Sequence, residues 1–151
     1  MTNYMLPIRY GLATAGCLIA YFLVLSLFGL HTNAFYSLVN VIITGFGIYE
    51  GIKAYKLQQG DSFDYGRGFA AGMATGVSAT LLFTLFFAFY CTEINLEFLS
   101  QLTSVFIDDF RNFEGIVFLA VAIMGIATTL VLTLAFMQLF KGPRRAGKKT
   151  G

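Results

Sequence analysis

The residues best suited to chemistry in this chain gather around one short polar turn. Glu50 and Lys53 lie three positions apart, which places them on one face of a helix, and Arg67 follows on the far side of the turn. Glu50 is the one carboxylate inside a long apolar stretch. An ionisable group at such depth is a functional candidate, here as proton carrier, cation ligand or anchor for Arg67. The structural alternative is an ion pair of Glu50 with Lys53 and Arg67 at the membrane edge, where the lysine stem can snorkel to water. Other chemistry finds little footing. His31 is the sole histidine, and neither a Cys/His nor an HExxH spacing exists to hold a metal. Asp108, Asp109 and Glu114 could gather a divalent cation, but neighbouring aspartates on a helix point about 100° apart. Cys17 and Cys91 fall near opposite ends of their apolar stretches, so packing is expected of them rather than a disulfide. The expectation is a chain with no catalytic residue, no metal and no cofactor.

These residues are positioned by apolar helices. Of 151 residues, 57% are hydrophobic and only 12% charged, with a mean hydropathy of +0.73, whereas a soluble domain carries roughly a quarter charged residues. No charge lies between Arg9 and Glu50, between Arg67 and Glu93, or between Glu114 and Lys141, and His31-Thr32-Asn33 divides the first window. A bilayer core of about 30 Å needs about 20 apolar residues per helix. The windows therefore predict four spans, near Tyr10–Leu30, Ala34–Tyr55, Gly66–Thr92 and Gly115–Phe140. The predicted class is an all-α integral membrane four-helix bundle over residues 1–141, followed by a basic tail over 142–151. A cleaved signal peptide is not expected, because the apolar run from residue 10 continues to Leu30.

Between the third and fourth spans, Thr92 to Phe113 is too charged to cross a membrane. Leu99, Leu102, Phe106, Phe110 and Phe113 recur there at three- and four-residue spacing, the pattern of an amphipathic helix on the outer surface. That helix reads either as a docking surface for a partner or as an interfacial connector. Arg144, Arg145, Lys148 and Lys149 in the tail suit anionic lipid headgroups or serve as topology determinants; nucleic acid is not an expected partner. With four spans, Arg9, Lys53, Lys56, Arg67, Lys141 and the tail share one side, while the other holds Arg111 among five carboxylates. The positive-inside rule then places both termini in the cytoplasm.

Glycines supply the remaining pattern. Gly68, Gly72 and Gly76 step by four along the third span, and Gly47 and Gly51, continued by Ala54, nearly do so along the second. Such stripes let two helix backbones approach closely. They predict packing of the second span on the third, with a homo-oligomer or partner seam as the alternative. Gly11, Ala15 and Gly16 give the first span a small-residue face. Tyr10-Gly11 and Tyr65-Gly66 open two spans alike, a faint sign of a parallel repeat. In the turn itself Gly60 is placed to end one helix and Asp61 or Ser62 to cap a short amphipathic lead into the next.

The run Gly51-Ile-x-Ala-Tyr-Lys, then Gly60-x-Ser-Phe, then Gly68-Phe-Ala-x-Gly72, resembles a bacterial family, the domain of unknown function 4199. Glu93-Ile-Asn-Leu-Glu-Phe-Leu99 is similar to the segment after that family's third helix. The resemblance spans roughly residues 9–140 and implies small four-helix inner-membrane proteins, found chiefly in Bacteroidota. It implies no catalytic residues. The function expected on these grounds is that of a non-catalytic membrane protein that self-associates or serves as an accessory subunit of a larger membrane complex. The alternative is a small oligomeric transporter or channel using Glu50, with polar Asn40, Thr44 and Thr75.

Overall fold

The computed structural model describes residues 4–30, 33–94 and 113–141. Four long helices, α1 (Met5–Leu27), α2 (Ala34–Gln59), α3 (Tyr65–Phe89) and α4 (Phe113–Phe140), account for most of them, and no strand occurs among the described residues. All four are long and apolar enough to cross a membrane. Leu99, Leu102, Phe106 and Phe110 lie outside the described residues, as do Arg144, Arg145, Lys148 and Lys149; Phe113 is the first residue of α4.

Each boundary has a local cause. α1 begins earlier than its hydropathy suggests, because Pro7 is compatible with a first turn, where backbone N–H groups have no acceptor in the helix. It ends where Gly29 takes φ 67°, the left-handed region that glycine enters freely. The Leu30 amide then donates to the Leu25 carbonyl at 2.9 Å and that of Gly29 to Ser26 at 3.2 Å, closing the open carbonyls of the last turn. The Asn33 side chain caps α2 by accepting from the Phe35 amide at 3.0 Å. Gly60, at φ 54°, ends α2, as the sequence suggested, and a short 3-10 turn, Gly60–Ser62, follows. The cap of α3 is Asp64 rather than Asp61 or Ser62, its carboxylate accepting from the Gly66 amide at 3.3 Å. After Phe89 the chain widens into a π turn, Tyr90–Ile94.

The helices pack as a rhombus. α2 and α3 touch each other and both outer helices, while α1 and α4 share no contact among the described residues. α1 runs parallel to α3: the Thr75 hydroxyl, shared between the Ala71 carbonyl of its own helix and the Pro7 carbonyl of α1 at 3.0 Å each, ties the pair toward one end, and Ser26 hydrogen-bonds Tyr90 near the other. Between these ties Phe22 sits edge-on against Phe87 and Tyr90, at centroid distances of 5.8 and 5.0 Å. The opposite end of the core holds Ile48, Ile52 and Met137, each almost fully buried. Around this spine Leu38, Ile42, Phe46, Leu85, Leu119, Met124 and Val131 stay exposed. In water such a surface would be untenable, whereas in hydrocarbon it costs nothing.

Candidate functional site

Glycine meets a hydroxyl-bearing side chain at nearly every helix crossing. A methyl group added at Gly47 would lie 2.7 Å from Thr14 Cγ2, one at Gly51 2.5 Å from Thr75 Oγ1, and one at Gly72 2.6 Å from Thr133 Cγ2. The same addition at Gly76 would meet Thr129 Oγ1 at 2.5 Å, and at Gly125 Thr80 Oγ1 at 2.9 Å. Gly11 is filled in the same way by Ser78. Each threonine is thus a knob seated where a glycine offers no side chain, which brings the backbones close without a large hydrophobe between them. Thr129 and Thr133 are fully buried, and their hydroxyl oxygens, beside the glycines they face, find no hydrogen-bond partner.

This arrangement redirects the expected pairing of α2 with α3. Only Gly51 makes that contact directly, through Thr75, with Ile52 of α2 also reaching Gly72. Gly47 faces α1. Gly68, Gly72 and Gly76 face α4, where Met137, Thr133 and Thr129 meet them in turn, Phe63 also covering Gly68. The reason is that α4 carries Gly125, Thr129, Thr133 and Met137 at the same four-residue step as α3, a complementary stripe that α2 lacks. That repeat was visible in the sequence but hidden among apolar residues, since threonine in a membrane span reads as filler.

The charged cluster also differs from its expected form. Lys53 Nζ lies 3.5 Å from Glu50 Oε1, and this is the one ion pair among the described residues. Arg67 takes no part in it; its guanidinium donates to the Ser62 carbonyl at 3.4 Å, holding the turn on its own side. The three-residue spacing of Glu50 and Lys53 makes their contact local, whereas Arg67 begins α3 on an exposed face. The lysines here also ride on aromatic rings. Lys53 lies 5.8 Å from the Tyr49 centroid, and Lys56 stands 5.5 Å from Phe63 and 5.4 Å from Phe140. Such cation–aromatic contacts suit an interfacial belt at the end of a span.

Glu50 also closes one end of a groove of about 650 Å³ between α1 and α2. The groove is overwhelmingly apolar, and its walls are unequal. On α1, Ala13 and Cys17 line the groove, and Gly16 and Ala20 continue the same exposed small-residue face beyond it; nothing lies within 4 Å of where a Gly16 side chain would begin. On α2, Ile42 and Phe46 stand up with 68% and 66% of their surface free. A valley of small residues therefore lies beside a ridge of large ones. Because Thr14 seats on Gly47, Phe46 stands at the level of Ala13 and Cys17 along the bundle axis. Of the small face predicted for the first span, Gly11 and Ala15 turn inward and Gly16 outward.

A family model described as "Protein of unknown function (DUF4199)" matches residues 9–141. The chain belongs to that family. DUF4199 thus takes in all four helices and stops at Lys141, before the basic tail. No curated protein and no solved structure matches the chain. Among the described residues no group of three or more His, Cys, Asp or Glu side chains converges.

Proposed function

We propose that this DUF4199 protein is a non-catalytic membrane protein that works by association, and that it associates first with itself. The observation that carries this reading is the ridge of Ile42 and Phe46 standing beside the valley of Ala13, Gly16, Cys17 and Ala20 at the same depth. A two-fold axis along the membrane normal keeps two copies at equal depth, so it requires a patch that is self-complementary at one level. The ridge of one copy then fits the valley of the other. Small residues in the valley let the backbones approach, which is what drives helix association where lipid offers no hydrophobic incentive. The pair so formed is suited to act as an accessory unit beside a larger membrane complex.

The same reading places the protein in an inner membrane with both termini in the cytoplasm. Its support is the end of the bundle bearing Arg9, Lys53, Lys56, Arg67 and Lys141, the side that the positive-inside rule retains.

The test is oligomeric state in lipid. Native mass spectrometry from nanodiscs is expected to give a dimer. Phe46→Cys is expected to form an intermolecular disulfide with the native, exposed Cys17 on oxidation. Gly16→Leu fills the valley without touching the core and is expected to yield monomer. A monomer in both nanodiscs and liposomes, with no cross-link from Phe46→Cys, refutes self-association. A proton or cation flux through liposomes that Glu50→Gln abolishes would replace the reading with a transporter.

A further inference from the structure

A second cavity opens on the other side of α2, and it does not share a residue with the α1–α2 groove. It lies between α2, α3 and α4, with Leu18 of α1 also in its lining, holds about 270 Å³, and is not enclosed. Six hydroxyl or amide side chains line it: Ser37, Asn40 and Thr44 from α2, Thr80 and Thr84 from α3, and Thr128 from α4. No ionisable residue does, and the greater part of the lining is apolar.

The hydrogen bonding of these groups is lopsided. Thr44 donates its hydroxyl proton to the Asn40 carbonyl at 2.8 Å, and Thr128 donates its own to the Met124 carbonyl at 2.8 Å. With their protons committed to their own helices, both oxygens can only accept. The Asn40 Oδ1 atom and the Thr84 hydroxyl are shielded from solvent and have no partner. Buried polar atoms without partners are uncommon and costly, more so where the surroundings are hydrocarbon. Asn40 lies six residues into α2, about 9 Å from its start at 1.5 Å per residue, and Thr84 is a similar distance from the end of α3. The polar groups thus sit together below one end of the bundle, inside the spans.

We propose that this cleft binds a neutral, membrane-dissolved amphiphile that carries a hydroxyl donor on an apolar body. The hydroxyl reaches the acceptors at Asn40, Thr44 and Thr84, and the body leaves through the open side among the lipid chains. Charge selects against ions and zwitterionic headgroups, since nothing in the lining neutralises them. Size selects for a headgroup and a short length of chain, since the volume lies just below the range of about 300–1,000 Å³ usual for enclosed ligands. The unsatisfied acceptors discriminate against a plain hydrocarbon, which would leave them bare. The inference is independent of self-association and stands or falls separately.

Two photoreactive probes decide it, a long-chain primary alcohol bearing a diazirine and the alkane of matched length and diazirine position. Each is added to the full chain in phosphatidylcholine liposomes, and labelled peptides are mapped after irradiation. The alcohol is expected to label the peptides holding Ser37–Thr44 and Thr80–Thr84 on the order of tenfold more than the alkane does, the worth of about one well-made hydrogen bond. Thr84→Val, which keeps the shape, and Asn40→Leu are each expected to remove most of that excess. Equal labelling by both probes overturns the proposal. Labelling that ignores Thr84→Val overturns it as well. Should Asn40→Leu fail to fold, the wild-type comparison and Thr84→Val still decide.

Discussion

Replacing Gly76 with alanine adds one methyl group at a place already taken. The new carbon would lie 2.5 Å from Thr129 Oγ1 and 2.9 Å from Thr129 Cβ, against about 3.4 Å for ordinary contact. Thr129 cannot turn aside, because it is fully buried and its branched side chain has few rotamers in a helix. α4 must therefore back away by about 1 Å, which also loosens Thr133 on Gly72 one turn along, and overpacking of this kind costs about 1–3 kcal/mol. Against that stands a gain of about 1 kcal/mol, because alanine is the better helix former. With two seats disturbed at once the cost falls in the upper half of that range, and the expected net loss is about 1–2 kcal/mol. Reversible unfolding in bicelles, followed by steric trapping, measures it. The decisive comparison is the same substitution in a Thr129→Ala background, where only the Cβ contact at 2.9 Å survives. There Gly76→Ala is expected to be nearly neutral, giving a coupling of about 1–2 kcal/mol. If the two substitutions add to within about 0.3–0.5 kcal/mol, the seating of threonine on glycine contributes nothing particular to the fold and the reasoning fails.

Four further outcomes are expected. Gly16→Ala, in open space on the valley wall, is expected to stabilise the monomer by about 0.5–1 kcal/mol in the same assay, and any loss would place an unseen neighbour there. Thr75→Val removes the hydroxyl tie to the Pro7 carbonyl and is expected to cost about 0.6–1.7 kcal/mol, with faster hydrogen exchange over the first turns of α1; unchanged exchange would discount the tie. Glu50→Gln is expected to cost less than about 1 kcal/mol, to couple to Lys53→Met and to be additive with Arg67→Gln, since 30% and 47% of the Glu50 and Lys53 side chains are free. Coupling to Arg67 would restore the three-residue cluster. In intact cells, a cysteine at Ser104 is expected to react with an impermeant thiol reagent and one at Ser62 to remain unreacted; the reverse result inverts the proposed orientation.

What the sequence revealed follows the strength of each physical signal. Charge-free windows located all four helices, because a charge inside hydrocarbon is costly enough to be excluded almost everywhere. Gly60 was legible as a helix end because few other residues adopt its backbone angles. Helix starts were less so: Pro7 lengthened α1, and Asp64, not Asp61 or Ser62, became the cap of α3. Which helix a glycine faces was not legible, since glycine records only that something comes close. The partner's identity lay in Thr14, Thr75, Thr80, Thr129 and Thr133, whose matching four-residue step on α4 was the available clue. Arg67 was misassigned for a similar reason. Opposite charge suggests a pair, but the nearer Ser62 carbonyl and the local spacing of Glu50 and Lys53 decide the geometry.

The contact between α3 and α4 changes hands along its length. Met137, Thr133 and Thr129 of α4 enter glycines of α3, and then Thr80 of α3 enters Gly125 of α4. Had every glycine lain on one helix, α4 could slide by a turn and find an equivalent seat, the kind of one-turn ratchet that some proteins use as a switch. The exchange forbids this. Moved one turn one way, Thr129 would meet Thr80 head-on; moved the other, Gly125 would face Gly76 across an empty gap. α4 buries only 6% of its most apolar window, yet it has a single admissible register. A lone outer helix is thereby keyed like a tooth in a lock, free to tilt about its seats but not to travel.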